Sequence, residues 1–208
     1  MPSFRIERTL TGVICGIDEV GRGPLAGPVV AAAVILPQKL PRGLRGAIDD
    51  SKRMSRQERE AVGAILVGVV QYGIGAASAA EIDRINILRA TFLAMARALA
   101  ALMARGHRPD WALVDGNQAP PLTCPVKTVI GGDGLSLSIA AASIIAKVTR
   151  DRAMRALAAR YPVYRWETNV GYGTEEHRGA LAAHGPTRHH RRSFSPLQLA
   201  LELESNEL

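Results

Sequence analysis

A single α/β domain built on a mixed sheet is the fold this sequence predicts, and three observations predict it. Short apolar runs alternate with helical patterns along the chain, hydrophobic residues make up 47% of its 208 residues, and aromatic residues only 4%. An interior of Ala, Val, Ile and Leu suits helices laid on a sheet better than a β-sandwich. The length fits one domain over residues 1–208, with a small helical C-terminal region from about residue 163.

Taken in order, Val13-Ile14-Cys15-Gly16-Ile17 reads as a buried first strand that exits onto Asp18-Glu19 and then Gly21-Arg22-Gly23. Val29 to Leu36 gives a second strand and Val70 to Ala77 a third, close enough in succession to pair antiparallel. Between them Ser55 caps a helix running to about Val67, with Glu58 at its third position completing a capping box. Helices follow over about 79–84 and 87–105, the second stopped by Gly106. Trp111 to Asp115 and Val126 to Ile130 supply strands four and five, and a long helix spans about 135–160, apolar at first and basic later. Pro162 ends it, and a short helix is expected over about 174–184.

The formal charge of +7 and pI near 10 point to a polyanionic partner, nucleic acid ahead of membrane. No apolar span long enough to cross a membrane is expected. Arg5, Glu7 and Arg8 stand where a signal peptide needs an apolar stretch, so the protein is expected in the cytoplasm. Cys15 and Cys124 lack a CxxC partner and read as core residues rather than a disulfide or zinc site. His177, His184, His189 and His190 match no zinc spacing.

Chemistry is concentrated where apolar strands meet acid: Asp18-Glu19, Asp115 and Asp133. Strands lie about 4.8 Å apart, so ends facing one edge bring such side chains within reach of shared ions. Four carboxylates repel without cations, and two Mg²⁺ ions would offset that charge and define phosphoryl chemistry. Taken singly, Asp115-Gly116 and Asp133-Gly134 read as turns. On a regular strand Asp18 and Glu19 point to opposite faces, so both can serve one ion pair only through a bend; otherwise Asp18 bridges and Glu19 assists.

The stretch Gly16-Ile17-Asp18-Glu19-Val20-Gly21-Arg22-Gly23-Pro24-Leu25-Ala26-Gly27-Pro28 resembles the opening motif of bacterial ribonuclease HII. Asp49-Asp50-Ser51-Lys52, Ile85-Asn86-Ile87-Leu88, Val114-Asp115-Gly116, the run from Ser138 to Asp151, Gly171-Tyr172-Gly173-Thr174 and His190-Arg191-Arg192-Ser193-Phe194 match that family in order. The resemblance implies an RNase H-like fold, a five-stranded mixed β-sheet flanked by helices, with a substrate-binding extension over about 163–208. It implies Asp18, Glu19, Asp115 and Asp133 as catalytic acids holding two Mg²⁺ or Mn²⁺ ions. The activity implied is hydrolysis of RNA in RNA/DNA hybrids and incision of duplex DNA 5′ to an embedded ribonucleotide, leaving 3′-hydroxyl and 5′-phosphate ends.

By the same resemblance Gly21, Arg22 and Gly23 read the ribonucleotide 2′-hydroxyl and flanking phosphates, largely through the main chain, and Tyr172 stacks on the neighbouring sugar. Lys52, Lys147, Arg150, Arg191 and Arg192 are candidates for phosphate contact, about half of them expected to be silent, and Ser143 lies in a matching segment. Asp151 is expected to pair with a nearby arginine. Trp166 to Val170 departs from the His-Lys usual before Gly171, which puts the grip of that loop in doubt. The chain is expected to act as a monomer, with no sliding-clamp peptide evident in the acidic tail of Glu202, Glu204 and Glu207. Two alternatives stand beside this reading: a ribonuclease HIII-like enzyme, disfavoured by Arg22 and the short N-terminal segment, and a non-catalytic hybrid-binding module. A DNA nuclease on the same fold would need no 2′-hydroxyl.

Overall fold

The computed structural model describes residues 1–195. Five strands form one sheet: β1 (Ile14–Val20), β2 (Val29–Ile35), β3 (Gln71–Ala77), β4 (Trp111–Asp115) and β5 (Val126–Val129), in the order β3-β2-β1-β4-β5. β2 runs antiparallel to both β1 and β3, while β4 and β5 lie parallel to β1. The helices are α1 (Leu44–Ala47), α2 (Arg56–Val69), α3 (Ala79–Ile85), α4 (Ile87–Ala104), α5 (Leu137–Ala158), α6 (Trp166–Asn169) and α7 (Glu175–His184). The expected strands and the five expected helices are all present; α1 and α6, four residues each, were not expected.

The scarcity of aromatics has a structural counterpart in how closely helices lie on the sheet. α4 covers one face over β3 and β2, and its main chain comes so near that a Cβ on Gly73 or Gly75 would strike the Ala98 or Ala94 carbonyl. Ala31 and Ala33 face this layer with Cys15, Ile17, Ala112 and Val114. On the other face α5 and α2 bury Ala32, Val34, Leu66, Ala141 and Ile144. Small side chains bring the backbones together and branched ones fill the seam, which keeps packing dense without large rings.

Ser55 caps α2 with the expected reciprocal bonds, Glu58 N–H to Ser55 Oγ at 3.2 Å and Ser55 N–H to Glu58 Oε2 at 2.8 Å. Ser78 and Glu81 repeat the device at α3. The sequence reading of apolar spans needs correction: α4 has 18 residues and a mean hydropathy of 1.6, enough by length and composition to cross a membrane. It carries Arg89 and Arg97 and packs Ala90, Ala94, Ala98 and Leu102 into the core, as a sheet-covering helix does. Cys15 and Cys124 are both free thiols.

Beyond α5 a separate cluster gathers Ala26, Met154, Ala158, Tyr164 and Trp166. Trp166 is wholly buried and stacks on Tyr164 at 5.2 Å. The acidic tail and the expected absence of a clamp peptide fall outside the described residues.

Candidate active site

The site forms where β1 outruns β4. The parallel ladder between them ends at Ile17 with Val114, yet β1 stays paired to β2 through Asp18 with Ala32, Glu19 with Ala31 and Val20 with Val30. Asp18 and Glu19 therefore belong to the strand rather than following its exit at Ile17, as the sequence had suggested. Asp115 closes β4 opposite Val129, and Gly116, at φ +106, carries the chain away. The cleft so opened lies at the carboxyl ends of β1 and β4, beside a change in strand direction.

Regular pairing through Val20 excludes a bulge at the two acids, and they face opposite sides of the sheet. Asp18 is 4% exposed, accepts Glu19 N–H at 2.7 Å and lies close enough to Ser143 on α5 for that side chain to act on its pKa. Glu19 faces α4 across a pocket of about 100 Å³ shared with Arg22, Thr91, Asp115 and Gln118. Asp115 meets both: its charge acts on Asp18 and on Glu19. Asp115 Oδ1 also accepts Gly132 N–H at 2.6 Å, which ties it to the turn carrying Asp133. Lys52 Nζ lies 3.1 Å from Asp133 Oδ2. All four acids named from the sequence thus stand in one neighbourhood at one sheet edge.

Burial dominates the electrostatics. It raises Asp18 well above the carboxylate range, helped by the Glu19 and Asp115 charges and opposed by the Ser143 side chain and the hydrogen bond from the Glu19 amide. Burial likewise raises Glu19, with the Arg22 charge 3.4 Å away pulling it down and Asp115 pushing it up. Asp115 is raised by burial against the Gly132 hydrogen bond, with Asp133 adding to the rise. For Lys52, burial works to lower the pKa, but the hydrogen bond and charge of Asp133 with the Asp18 and Asp50 charges raise it overall. Among the described residues no three His, Cys, Asp or Glu side chains are already disposed to hold one ion. The all-oxygen donor set, crowded and poorly solvated, nonetheless suits hard divalent cations, which would relieve the repulsion that these shifts express.

The 21–28 loop is knitted to two distant segments. Leu25 and Ala26 N–H both reach the Gly171 carbonyl, Gly27 N–H reaches His189, and Arg191 N–H reaches Leu25. Gly21 sits at φ +91, where a Cβ would strike Arg150. Tyr172, 44% exposed, brings its ring edge within 3.8 Å of where a Gly23 Cβ would stand. The acids, the glycine loop and the tyrosine are therefore neighbours.

A family model described as ribonuclease HII matches residues 15–196. The chain belongs to the ribonuclease HII family. It is 58% identical to the ribonuclease HII of Paramagnetospirillum magneticum over 95% of this chain and 97% of that one, and 54% identical to that of Gluconobacter oxydans over 99% of each. Ribonuclease H2 from Pyrococcus horikoshii OT3 superposes with a TM-score of 0.74 at 26% identity, covering 91% of this chain and 97% of that one. Bst-RNase HIII in complex with Mn²⁺ gives 0.75 at 18% identity, over 99% of this chain and 75% of the other, a likeness of fold alone. The fold is RNase H-like, and as a ribonuclease HII the chain is a metal-dependent endoribonuclease; the HIII alternative is not favoured.

Several basic residues of the chain lie elsewhere than the sequence suggested. Arg191 and Arg150 are wholly buried and donate to main-chain carbonyls, so neither offers its guanidinium to a phosphate from this position. Ser143 is buried, with its hydroxyl 2.8 Å from Ser51 Oγ, rather than at the surface where it could meet substrate. Lys147 is paired with Asp151 at 2.7 Å, where the sequence suggested an arginine as the partner of Asp151. Lys52, Arg22 and Arg192 remain at the surface. Gly132, which orients Asp115 through its amide, went unnoticed in the sequence because a main-chain donor leaves no compositional mark.

The histidines form a hydrogen-bonded chain. His177 Nδ1–H donates to the Tyr172 carbonyl at 2.9 Å, leaving Nε2 to accept from Trp166 Nε1–H at 3.2 Å and His190 Nε2–H at 3.0 Å. His190 Nδ1 accepts Thr187 N–H at 2.9 Å. Each ring is thus neutral with its tautomer set by its neighbours. Burial lowers both below 6.5, and the repulsion His190 would meet from a protonated His177 or His189 adds to its lowering, to about 4; Arg188 and Arg160 in turn lower His189. Folded values below unfolded ones leave stability complete above pH 6.5 and lost as pH falls toward 4. We expect the fold to lose about 1–2 kcal/mol at His190 by pH 5. Thermal melts at pH 7.5 and 5 check it: the drop should be smaller in His190→Asn than in the unmodified protein, and equal drops would refute the role.

Proposed function

We propose that the chain hydrolyses RNA in RNA/DNA hybrids and incises duplex DNA 5′ to an embedded ribonucleotide, leaving 3′-hydroxyl and 5′-phosphate ends. The observation that carries this reading is the gathering of Asp18, Glu19, Asp115 and Asp133 beside the 21–23 loop and Tyr172. In it those acids hold two Mg²⁺ or Mn²⁺ ions, Asp18 from the α5 face, Glu19 from the α4 face and Asp115 between them. When bound, the ions activate the attacking water and stabilise the leaving 3′ oxygen. Lys52 guards Asp133 and offers its ammonium to a phosphate as it exchanges partners. Arg22, half exposed beside Glu19, faces the flanking phosphates.

The 21–23 main chain reads the 2′-hydroxyl, as a backbone without Cβ can approach a sugar closely. Tyr172 stacks on the adjoining sugar, and residues 163–195 brace it as a substrate-binding extension of one catalytic domain. We place the enzyme in the cytoplasm as a monomer.

The experiment is paired cleavage of two duplexes, alike except for one ribonucleotide, with the cut position mapped. Cutting only the ribonucleotide duplex, on its 5′ side, is expected; equal cutting of both would sink the reading. Tyr172→Ala should lower single-ribonucleotide cleavage roughly tenfold or more, in keeping with the worth of an aromatic stack, while binding changes less. Unchanged rates in that variant would remove the stacking role.

A further inference from the structure

Arg150 and Arg191 are the two largest charged side chains that the fold buries completely. Among the described residues neither guanidinium lies within ion-pair distance of a carboxylate. A buried charge of this kind persists only where its donors are met, and here main-chain carbonyls meet them. Arg191 Nη1 donates to Arg22 at 2.8 Å, Nη2 to Gly21 at 2.5 Å and Gly27 at 2.9 Å, and Nε to Gly27 at 3.0 Å. Arg150 Nε donates to Pro28 at 2.9 Å, Nη1 to Val170 at 2.9 Å and Nη2 to Ala26 at 3.0 Å.

These carbonyls come from the two limbs of the 21–28 loop and from the turn before Tyr172. In a trans peptide the C=O of one residue and the N–H of the next point in opposite directions. Drawing the Gly21 and Arg22 carbonyls inward therefore turns the Arg22 and Gly23 N–H groups outward. Both residues are exposed, and among the described residues neither N–H has a hydrogen-bond partner. Two adjacent outward donors above two unneutralised guanidiniums make a concavity suited to oxygen acceptors.

We infer that Arg191 and Arg150 are positioning residues for ribonucleotide recognition: they lock the loop with its carbonyls inward, so that the Arg22 and Gly23 N–H groups are presented to the 2′-hydroxyl and an adjoining phosphate oxygen. The inference rests on the ribonucleotide reading proposed above and deepens it. Lysine cannot replace either residue, because one ammonium lacks the planar fork that spans several carbonyls at once.

The test is equilibrium binding of the full chain, with Ca²⁺ in place of Mg²⁺, to two duplexes differing in one ribonucleotide. The unmodified protein is expected to prefer the ribonucleotide duplex. Arg191→Lys and Arg150→Lys should each shrink that preference about tenfold while affinity for the all-DNA duplex stays within about twofold. A merely structural role would weaken both affinities together and leave their ratio unchanged, which would overturn the inference. Should Arg191→Lys fail to fold by circular dichroism, Arg150→Lys is read on the same ratio. Amide exchange in the unmodified protein supplies a second reading: Arg22 and Gly23 should be protected by the ribonucleotide duplex and not by the DNA duplex, and equal protection would contradict the role. No preference in the unmodified protein would instead bring down the ribonucleotide reading, and this inference with it.

Discussion

Asp18→Asn should reduce cleavage at least about 10³-fold while making the metal-free protein more stable. The two effects share one cause. Asp18 is held among Glu19 and Asp115 with little solvent, so its ionised form is costly unless a cation answers it. Loss of 10³ in rate corresponds to about 4 kcal/mol of transition-state stabilisation, within what a ligand shared by two ions contributes. Asparagine keeps an oxygen for the Glu19 amide and removes the charge, so about 1 kcal/mol or more should return to the fold, or roughly 2–4 °C in Tm for a chain of this length.

The sign of the pH dependence follows. Asp18, Glu19 and Asp115 have folded pKa values above their unfolded ones, so the folded state keeps protons that the unfolded chain has lost. Their contribution to stability is most favourable below the ordinary carboxylate range and declines as pH rises through the raised values. Added Mn²⁺ should recover it at neutral pH in the unmodified protein and much less in Asp18→Asn. Paired melts with and without Mn²⁺ measure this; equal stabilisation of both proteins would place the ions elsewhere.

Gly21→Ala should damage both the fold and the recognition loop. At φ +91 an L-residue is strained, and its Cβ would strike Arg150 Nε and crowd the Pro28 carbonyl at 2.8 Å. Arg150 is locked by Pro28, Val170 and Ala26 and cannot yield without releasing the loop. A cost of about 1–3 kcal/mol in stability is expected. Because the loop adjoins the acids, cleavage of a single-ribonucleotide duplex should fall by about 10² from misplacement alone. Gly43→Ala is the control: it also has positive φ, but nothing lies within 4 Å of its Cβ position. Equal losses in the two variants would show that strain, rather than the clash with Arg150, governs the effect.

The sheet, its main helices and the acidic quartet were legible because each carries a pattern set by burial: short apolar runs, capping serines and acids beside strands. The extent of β1 was not. Asp18-Glu19 looks like the end of an apolar run, yet β2 continues to pair alongside with Ala31 and Ala32, and a neighbouring strand cannot be read from local sequence. α1 and α6 are too short for periodicity, and α6 starts from Arg165 at φ +57. Arg150 and Arg191 were misplaced for the opposite reason: arginine is seldom fully buried, and only the fold reveals the carbonyls that accept its donors. The His177–His190 pair was likewise hidden, since its partners Trp166, Tyr172 and Thr187 come from separate turns.

Anomalous diffraction from crystals of the protein bound to a single-ribonucleotide duplex with Mn²⁺ tests the central claim most directly. Two manganese peaks bounded by Asp18, Glu19, Asp115 and Asp133, with the ribonucleotide against residues 21–23, are predicted. Manganese bound away from these four carboxylates, or a ribonucleotide lying outside that loop, would contradict it.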